Sequence, residues 1–398
     1  MRAAVALVVL LAACASPSPD SSLPSGLQSA EASTSLLSPS ATPTESLTGW
    51  RTVATFGAGG GWDLATTVVR SGETFLAVGA RMEPGNKVGY NYVQGHQWTS
   101  TDGRSWTEVP LGTEFDDLLF FQDVVAGPSG SFIAYLSVSY ALDSGSTKNA
   151  VRRSTDGRTW QEADTDLDPS LQITKVVRGA RGYLLLAQSL GTEPSLWLSA
   201  DGLHWEEVYR FSDATHYVGL DDIGAGDEGF VAFGVRTALD GTWERFAFAS
   251  ADGREWVNAP QPFGAEDPQY RPPPVIAPLG PDWIAATAQR NDGAQIWFSA
   301  NGLDWTPAAE IGGVRAPVLV GAGQHLFLSG SGEFPTSIEV PPPGIWSSTD
   351  GRKWTLLDLG DAAVVGGAAS GPAGLVLAGL TIPSADESKA TFWLGPQD

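Results

Sequence analysis

The chain has 398 residues, 45 acidic against 23 basic side chains, a formal net charge of −22 and one cysteine. A surface so acidic repels phosphate backbones, which argues against a nucleic-acid partner. A single thiol excludes internal disulfides and multi-thiolate metal centres, and 47 Gly with 15 Trp at 17% charged residues fit a turn-rich β protein.

The chain opens with Met1-Arg2, an apolar run from Ala3 to Ala13, and then Cys14. That run is too short to span a bilayer and reads as a signal peptide over residues 1–13. Leu11-Ala12-Ala13-Cys14 resembles the lipobox of bacterial lipoproteins, which implies lipidation of Cys14 and an extracytoplasmic, membrane-anchored location. Residues 15–48 are Ser, Pro, Thr and Ala with few large apolar groups, so residues 14–48 read as a lipidated cysteine followed by a disordered tether.

From Gly49 onward one string recurs. Ser-x-Asp-Gly-x-x-Trp occurs at 100–106, 154–160, 199–205, 250–256 and 348–354, and a copy with Asn at 299–305. The acidic or amide positions are Asp102, Asp156, Asp201, Asp252, Asn301 and Asp350, in steps of 54, 45, 51, 49 and 49. Asp-Gly and Asn-Gly suit a type I′ hairpin turn, which predicts positive φ at both central residues. An aromatic two residues before the Ser (Trp98, Trp197, Phe248, Trp297, Trp346; Arg152 is the exception) weights the strand leading into the turn.

Each unit of about 50 residues reads as four short antiparallel strands, the pattern of a β-propeller blade. After the sixth turn three more strands follow, and Gly49-Trp50-Arg51-Thr52-Val53 matches the outer strand they lack. The expected fold is therefore all-β over residues 49–398: a seven-bladed propeller of four-stranded blades, the last closed by the N-terminal strand.

The repeated turn resembles the Asp box, or BNR repeat, of sialidases, sortilin-type receptors and photosystem II assembly factors, one residue shorter between Asp and Gly. The resemblance implies a sialidase-like propeller with the boxes in structural roles. It does not bring the catalytic groups with it. Sialidases use three arginines, a Tyr–Glu pair and an acid/base Asp, and none of Arg51, Arg70 or Arg81 before the first box has the expected Arg-Ile-Pro setting. Tyr270-Arg271-Pro272 lies between the fourth and fifth boxes, and Arg178, Arg236 and Arg315 form no spaced triad.

Other motifs are plainer. Gly224-Ala225-Gly226-Asp227-Glu228-Gly229 precedes a strand rather than a helix, so it is a hairpin turn, not a phosphate loop. Asp164-x-Asp166-x-Asp168 lacks the later Gly and Glu of a calcium loop and reads as a solvated loop. No cofactor or metal is expected.

In such blades the short first-to-second and third-to-fourth turns share one side, and the longer loops share the other. Residues 81–97, 139–149 and 331–344 between strands, with 110–121, 210–218 and 259–274 between blades, are long and irregular. The candidate binding face is therefore Tyr90, Tyr92, Asp116, Asp117, Tyr140, Tyr217, Asp221, Asp222, Tyr270 and Arg271. The expectation is a monomeric, non-catalytic lipoprotein that binds a glycan or protein of the cell envelope. The alternative is a sialidase-like glycoside hydrolase acting on extracellular glycans.

Overall fold

The computed structural model describes residues 49–57, 62–84, 90–111, 118–139, 147–188, 193–212, 216–260, 263, 272–289, 293–330, 344–359, 363–384 and 387–396. The signal peptide, Cys14 and the tether lie outside the described residues.

Every described strand pairs antiparallel with a neighbour, in hairpins except for β1 (Arg51–Phe56), which lies on the last strand of the chain. The N-terminal segment contributes β1 (Arg51–Phe56), β2 (Trp62–Ser71), β3 (Thr74–Pro84), β4 (Tyr90–Ser100) and β5 (Thr107–Val109). Five four-stranded blades follow. The first is β6 (Leu118–Ala126), β7 (Phe132–Ser139), β8 (Thr147–Ser154) and β9 (Gln161–Glu162). The second is β10 (Ile173–Gly179), β11 (Gly182–Ala187), β12 (Ser195–Ser199) and β13 (Glu206–Arg210). The third is β14 (His216–Ala225), β15 (Phe230–Ala238), β16 (Trp243–Ser250) and β17 (Val257–Pro260). The fourth is β18 (Val275–Leu279), β19 (Asp282–Ala288), β20 (Gly293–Ser299) and β21 (Thr306–Gly312). The fifth is β22 (Pro317–Ala322), β23 (His325–Gly330), β24 (Trp346–Ser348) and β25 (Thr355–Leu356). The chain ends with β26 (Ala363–Gly371), β27 (Gly374–Ser384) and β28 (Glu387–Leu394).

The strand pairing corrects the expectation of seven separate blades. Five blades stand as four-stranded sheets, while the first and last strands of the chain form one eight-stranded sheet in the order β26-β27-β28-β2-β3-β4-β5, with β1 on β28. A parallel bridge between Trp62 and Ser388 makes that sheet continuous, and Ser388 Oγ donates to the Asp63 carbonyl at 3.0 Å. β1 lies antiparallel on β28, with Arg51 opposite Leu394 and Phe56 opposite Ala390.

Second strands such as Tyr183-Leu-Leu-Leu-Ala187 and Phe230-Val-Ala-Phe233 are nearly continuous apolar runs, because their two faces pack on two neighbouring sheets. Aromatic rings from the repeated turns fill the gaps between sheets: Trp106 stacks on Phe392 at 4.2 Å and 18°, and Trp305 meets Phe233 at 5.1 Å.

The six turns share one geometry, and it is not type I′. Only the glycine has positive φ (+67° at Gly103 and Gly351), and no Asp or Asn of a turn does. The Asp acts through its carboxylate instead. Asp102 Oδ1 accepts from the Arg104 and Ser105 amides at 2.8 and 2.7 Å, and Ser100 Oγ accepts from Gly103 N at 2.9 Å. Asn301 Oδ1 receives the equivalent bonds from Leu303 and Asp304, both at 2.9 Å, which explains why an amide serves in that copy. The glycine is also needed for close approach: a Cβ at Gly103 would sit 2.9 Å from Val376 Cγ2 on β27.

Candidate functional site

Seven strands, β2, β6, β10, β14, β18, β22 and β26, line a central cavity of about 630 Å³. The cavity runs from Asp123 and Lys175 to Arg70, Gly72 and Arg178, towards the end where first and second strands are joined by short turns. Bulges at 65/67, 121/123, 173/175, 220/222 and 365/367 break the pairing of five of these strands. An inserted residue bends the strand and re-aims the side chain that follows. Asp123, Lys175 and Asp222 are three such residues, and they interlock. Lys175 Nζ is 2.6 Å from Asp222 Oδ1, Asp123 Oδ2 accepts from Val176 N at 3.0 Å, and Asp222 Oδ2 accepts from Ile276 N at 2.9 Å. Each carboxylate thus satisfies a backbone amide of the next blade. Burial pushes Asp123 up to about 6, against the pull of the Val176 amide and Lys175.

A second polar group lies on β14–β16, toward the side of the longer loops. Tyr217 is opposite Thr237, and Thr237 is opposite Trp243, so the three side chains share one face. Tyr217 is 53% exposed, Trp243 is half-buried, and the next row on that face is Gly219, Val235 and Arg245. At its foot Arg245 donates to Asp221 Oδ2 at 2.6 Å. Burial pushes Asp221 up to about 6, opposed by Arg245 and reinforced by the charge of Asp222. The hairpin tip is fixed by Ala238 N to Thr242 O at 2.7 Å and presents Leu239, 89% exposed. This is an aromatic and aliphatic shelf standing on a largely buried ion pair.

No family model and no curated protein matches the sequence. Solved structures do. A Dyadobacter fermentans protein of unknown function matches at 14% identity and TM-score 0.43, over 88% of this chain and all of that one. A Hadza microbial sialidase matches at 16% identity and TM-score 0.46, over 76% of this chain and 73% of that one. The Trypanosoma rangeli sialidase matches at 11% identity and TM-score 0.42, over 90% of this chain, which spans 60% of it. The strand pairing itself makes the chain an all-β propeller of four-stranded antiparallel blades.

The structure brings together three of the sequence candidates: Tyr217 and Asp221 share a face of one strand, and Asp222 lies beside them with its carboxylate on Lys175. Tyr90 and Tyr92 belong to β4 rather than to a loop, since β3 and β4 extend into the stretch expected to be irregular. Asp116, Asp117, Tyr140, Tyr270 and Arg271 lie outside the described residues. Asp166 caps the neighbouring turn through Trp205 N at 2.8 Å, and Asp168 receives Ser170 N at 2.8 Å. Among the described residues no group of three or more His, Cys, Asp or Glu could hold a metal ion. Sequence reading missed Lys175, Arg245 and Trp243. Strand alternation would have put Trp243 on the face of Tyr217 once the Asp240-Gly241 turn fixed the register.

Proposed function

We propose that this protein is a glycan-directed propeller that receives its carbohydrate on the shelf formed by Tyr217 and Trp243. The observation that carries the reading is the row Tyr217–Thr237–Trp243 above the Asp221–Arg245 pair. Aromatic faces pack on the apolar C–H face of a sugar ring, and a fixed carboxylate–guanidinium pair beside them offers directional bonds to its hydroxyls. For the hydrolase reading, Asp221 is the candidate proton donor of this site. A carboxyl held near 6 by burial is partly protonated around neutral pH, as a proton donor to a glycosidic oxygen must be. The non-catalytic reading has its own support, because Asp123 and Asp222 are both spent on backbone amides and Asp221 on Arg245.

A panel of aryl glycosides and extracellular oligosaccharides, sialosides included, separates these. Turnover that falls at least a hundredfold in Asp221→Asn supports the hydrolase. Saturable binding without turnover supports the binding module. Neither binding nor turnover would end the glycan reading. Lipidation of Cys14, display of residues 49–398 outside the membrane, and kinship of the six turns with shortened Asp boxes belong to the same proposal. Release of a Cys14→Ser chain from the membrane fraction tests the first of these.

A further inference from the structure

We propose that the turn-side mouth of the central channel is an anion site, in which Arg70 and Arg178 hold a single carboxylate, sulfate or phosphate group. The inference does not depend on the glycan shelf, which lies toward the opposite side of the propeller.

The strand register places seven residues at one level of the channel wall, each opposite a large side chain of its second strand. Arg70 lies opposite Phe75, Arg178 opposite Tyr183, and the remaining first strands present Ala126, Ala225, Pro278, Gly321 and Ser370. At this level, therefore, stand two arginines and five residues without charge, several of them too small to fill the mouth. Both arginines line the cavity, and among the described residues neither makes an ion pair. In a chain with 45 acidic against 23 basic residues, two cations left without a carboxylate in one cavity are a pronounced local reversal of sign.

The two guanidiniums differ in a way that favours an incoming anion. The Arg70 guanidinium lies 5.7 Å from the Phe75 ring, and its Nε is buried with no hydrogen-bond partner. An unsatisfied buried donor destabilises the fold, and a bound oxygen would relieve it. Arg178 is pre-positioned: its Nη1 donates to the Ala126 carbonyl at 2.8 Å and its guanidinium lies 5.4 Å from the Tyr183 ring. A second, longer bond from the same Nη1 reaches the Gly127 carbonyl at 3.5 Å, so Nε and Nη2 keep N–H groups available to a planar or tetrahedral oxyanion. The end of β6, between the strands that carry the two arginines, is uncharged at this level. Glu73, Arg181, Asp227 and Glu228 occupy the surrounding turns, so the site admits a compact anion rather than a large polyanion.

The test is melting of the full chain in inorganic phosphate, sulfate and glucuronate, each against sodium chloride at matched ionic strength. A saturable rise of about 2 °C in wild type is expected, with affinity falling at least tenfold in Arg70→Gln and again in Arg178→Gln. A response to phosphate and sulfate alone marks a free inorganic anion as the ligand, and a response to glucuronate marks an acidic sugar. Among the described residues Arg70 forms no hydrogen bond, so Arg70→Gln carries the test even if Arg178→Gln fails to fold. No rise in wild type, or an equal rise in Arg70→Gln, would overturn the proposal.

Discussion

Lys175 and Asp222 meet at 2.6 Å across the junction of two blades. The same Asp222 caps the Ile276 amide of the next blade, and Asp123 repeats the arrangement on Val176. The channel wall is thus laced from β6 to β18 by charged side chains, each placed by a strand bulge. The same residues that resemble catalytic carboxylates serve first as fasteners.

That lacing has a pH signature. The Asp123 carboxyl in the folded chain stands at about 6, above the roughly 3.9 of an unfolded aspartate. Between those values the folded state binds more protons, so this group makes stability fall as pH rises through the window. Asp221 acts in the same direction. Urea denaturation at pH 4, 5 and 6 should show the slope reduced in Asp123→Asn, by up to about 1.4 kcal/mol per pH unit. An unchanged slope would show that Asp123 titrates normally.

The repeated turns respond oppositely. The Ser105 amide, with burial opposing it and the Arg104 amide and Ser100 and Ser105 hydroxyls assisting, holds Asp102 down at about 2. Its contribution is complete above about pH 4 and disappears as pH falls through 2. Asp102→Ala should cost about 1–2 kcal/mol at neutral pH, since two amides lose their acceptor. Asp102→Asn should cost well under half of that, because Asn301 already fills this role in the fifth copy. Thermal melts of the two variants check the difference.

The glycine of the turn is the harder constraint. Gly351 has φ of +67°, and a Cβ there would collide with Ile284 of the adjacent blade. Gly351→Ala should destabilise by about 2–4 kcal/mol, and Ile284→Ala in the same chain should return part of the loss. Additive losses in the double variant would refute the contact.

Much of this was legible in the sequence, for a reason that particular residues make plain. The turn string uses each residue for a separate local purpose: Ser100 and Asp102 for backbone amides, Gly103 for φ and approach, Trp106 for the gap to Phe392. Local requirements of that kind leave a readable pattern and a countable period. The type I′ assignment failed because Asp-Gly was read by backbone tolerance alone, when the carboxylate was the working part. The number of separate sheets was not legible, because one bridge between Trp62 and Ser388 decides it. Lys175 and Arg245 were missed since their partners lie 47 and 24 residues away, and nothing local marks either.

Closure by the N-terminal strand can be weighed separately. Trp50 meets Phe327 edge-on at 5.5 Å and lies against Gly395, so it joins the chain's beginning to its end and to the neighbouring blade. Trp50→Ala should cost about 2–4 kcal/mol, less than a fully buried tryptophan, because its ring is only half-buried. Denaturant midpoints at constant slope provide the measurement.

The central claim is the glycan shelf, and calorimetric titration of an oligosaccharide ligand into wild type and Tyr217→Ala tests it most directly. Tyr217 is 53% exposed, so its removal should leave the melting temperature within about 1 °C of wild type. Affinity should be at least tenfold weaker in Tyr217→Ala, with Trp243→Ala weaker still. Undiminished affinity in both variants would contradict it.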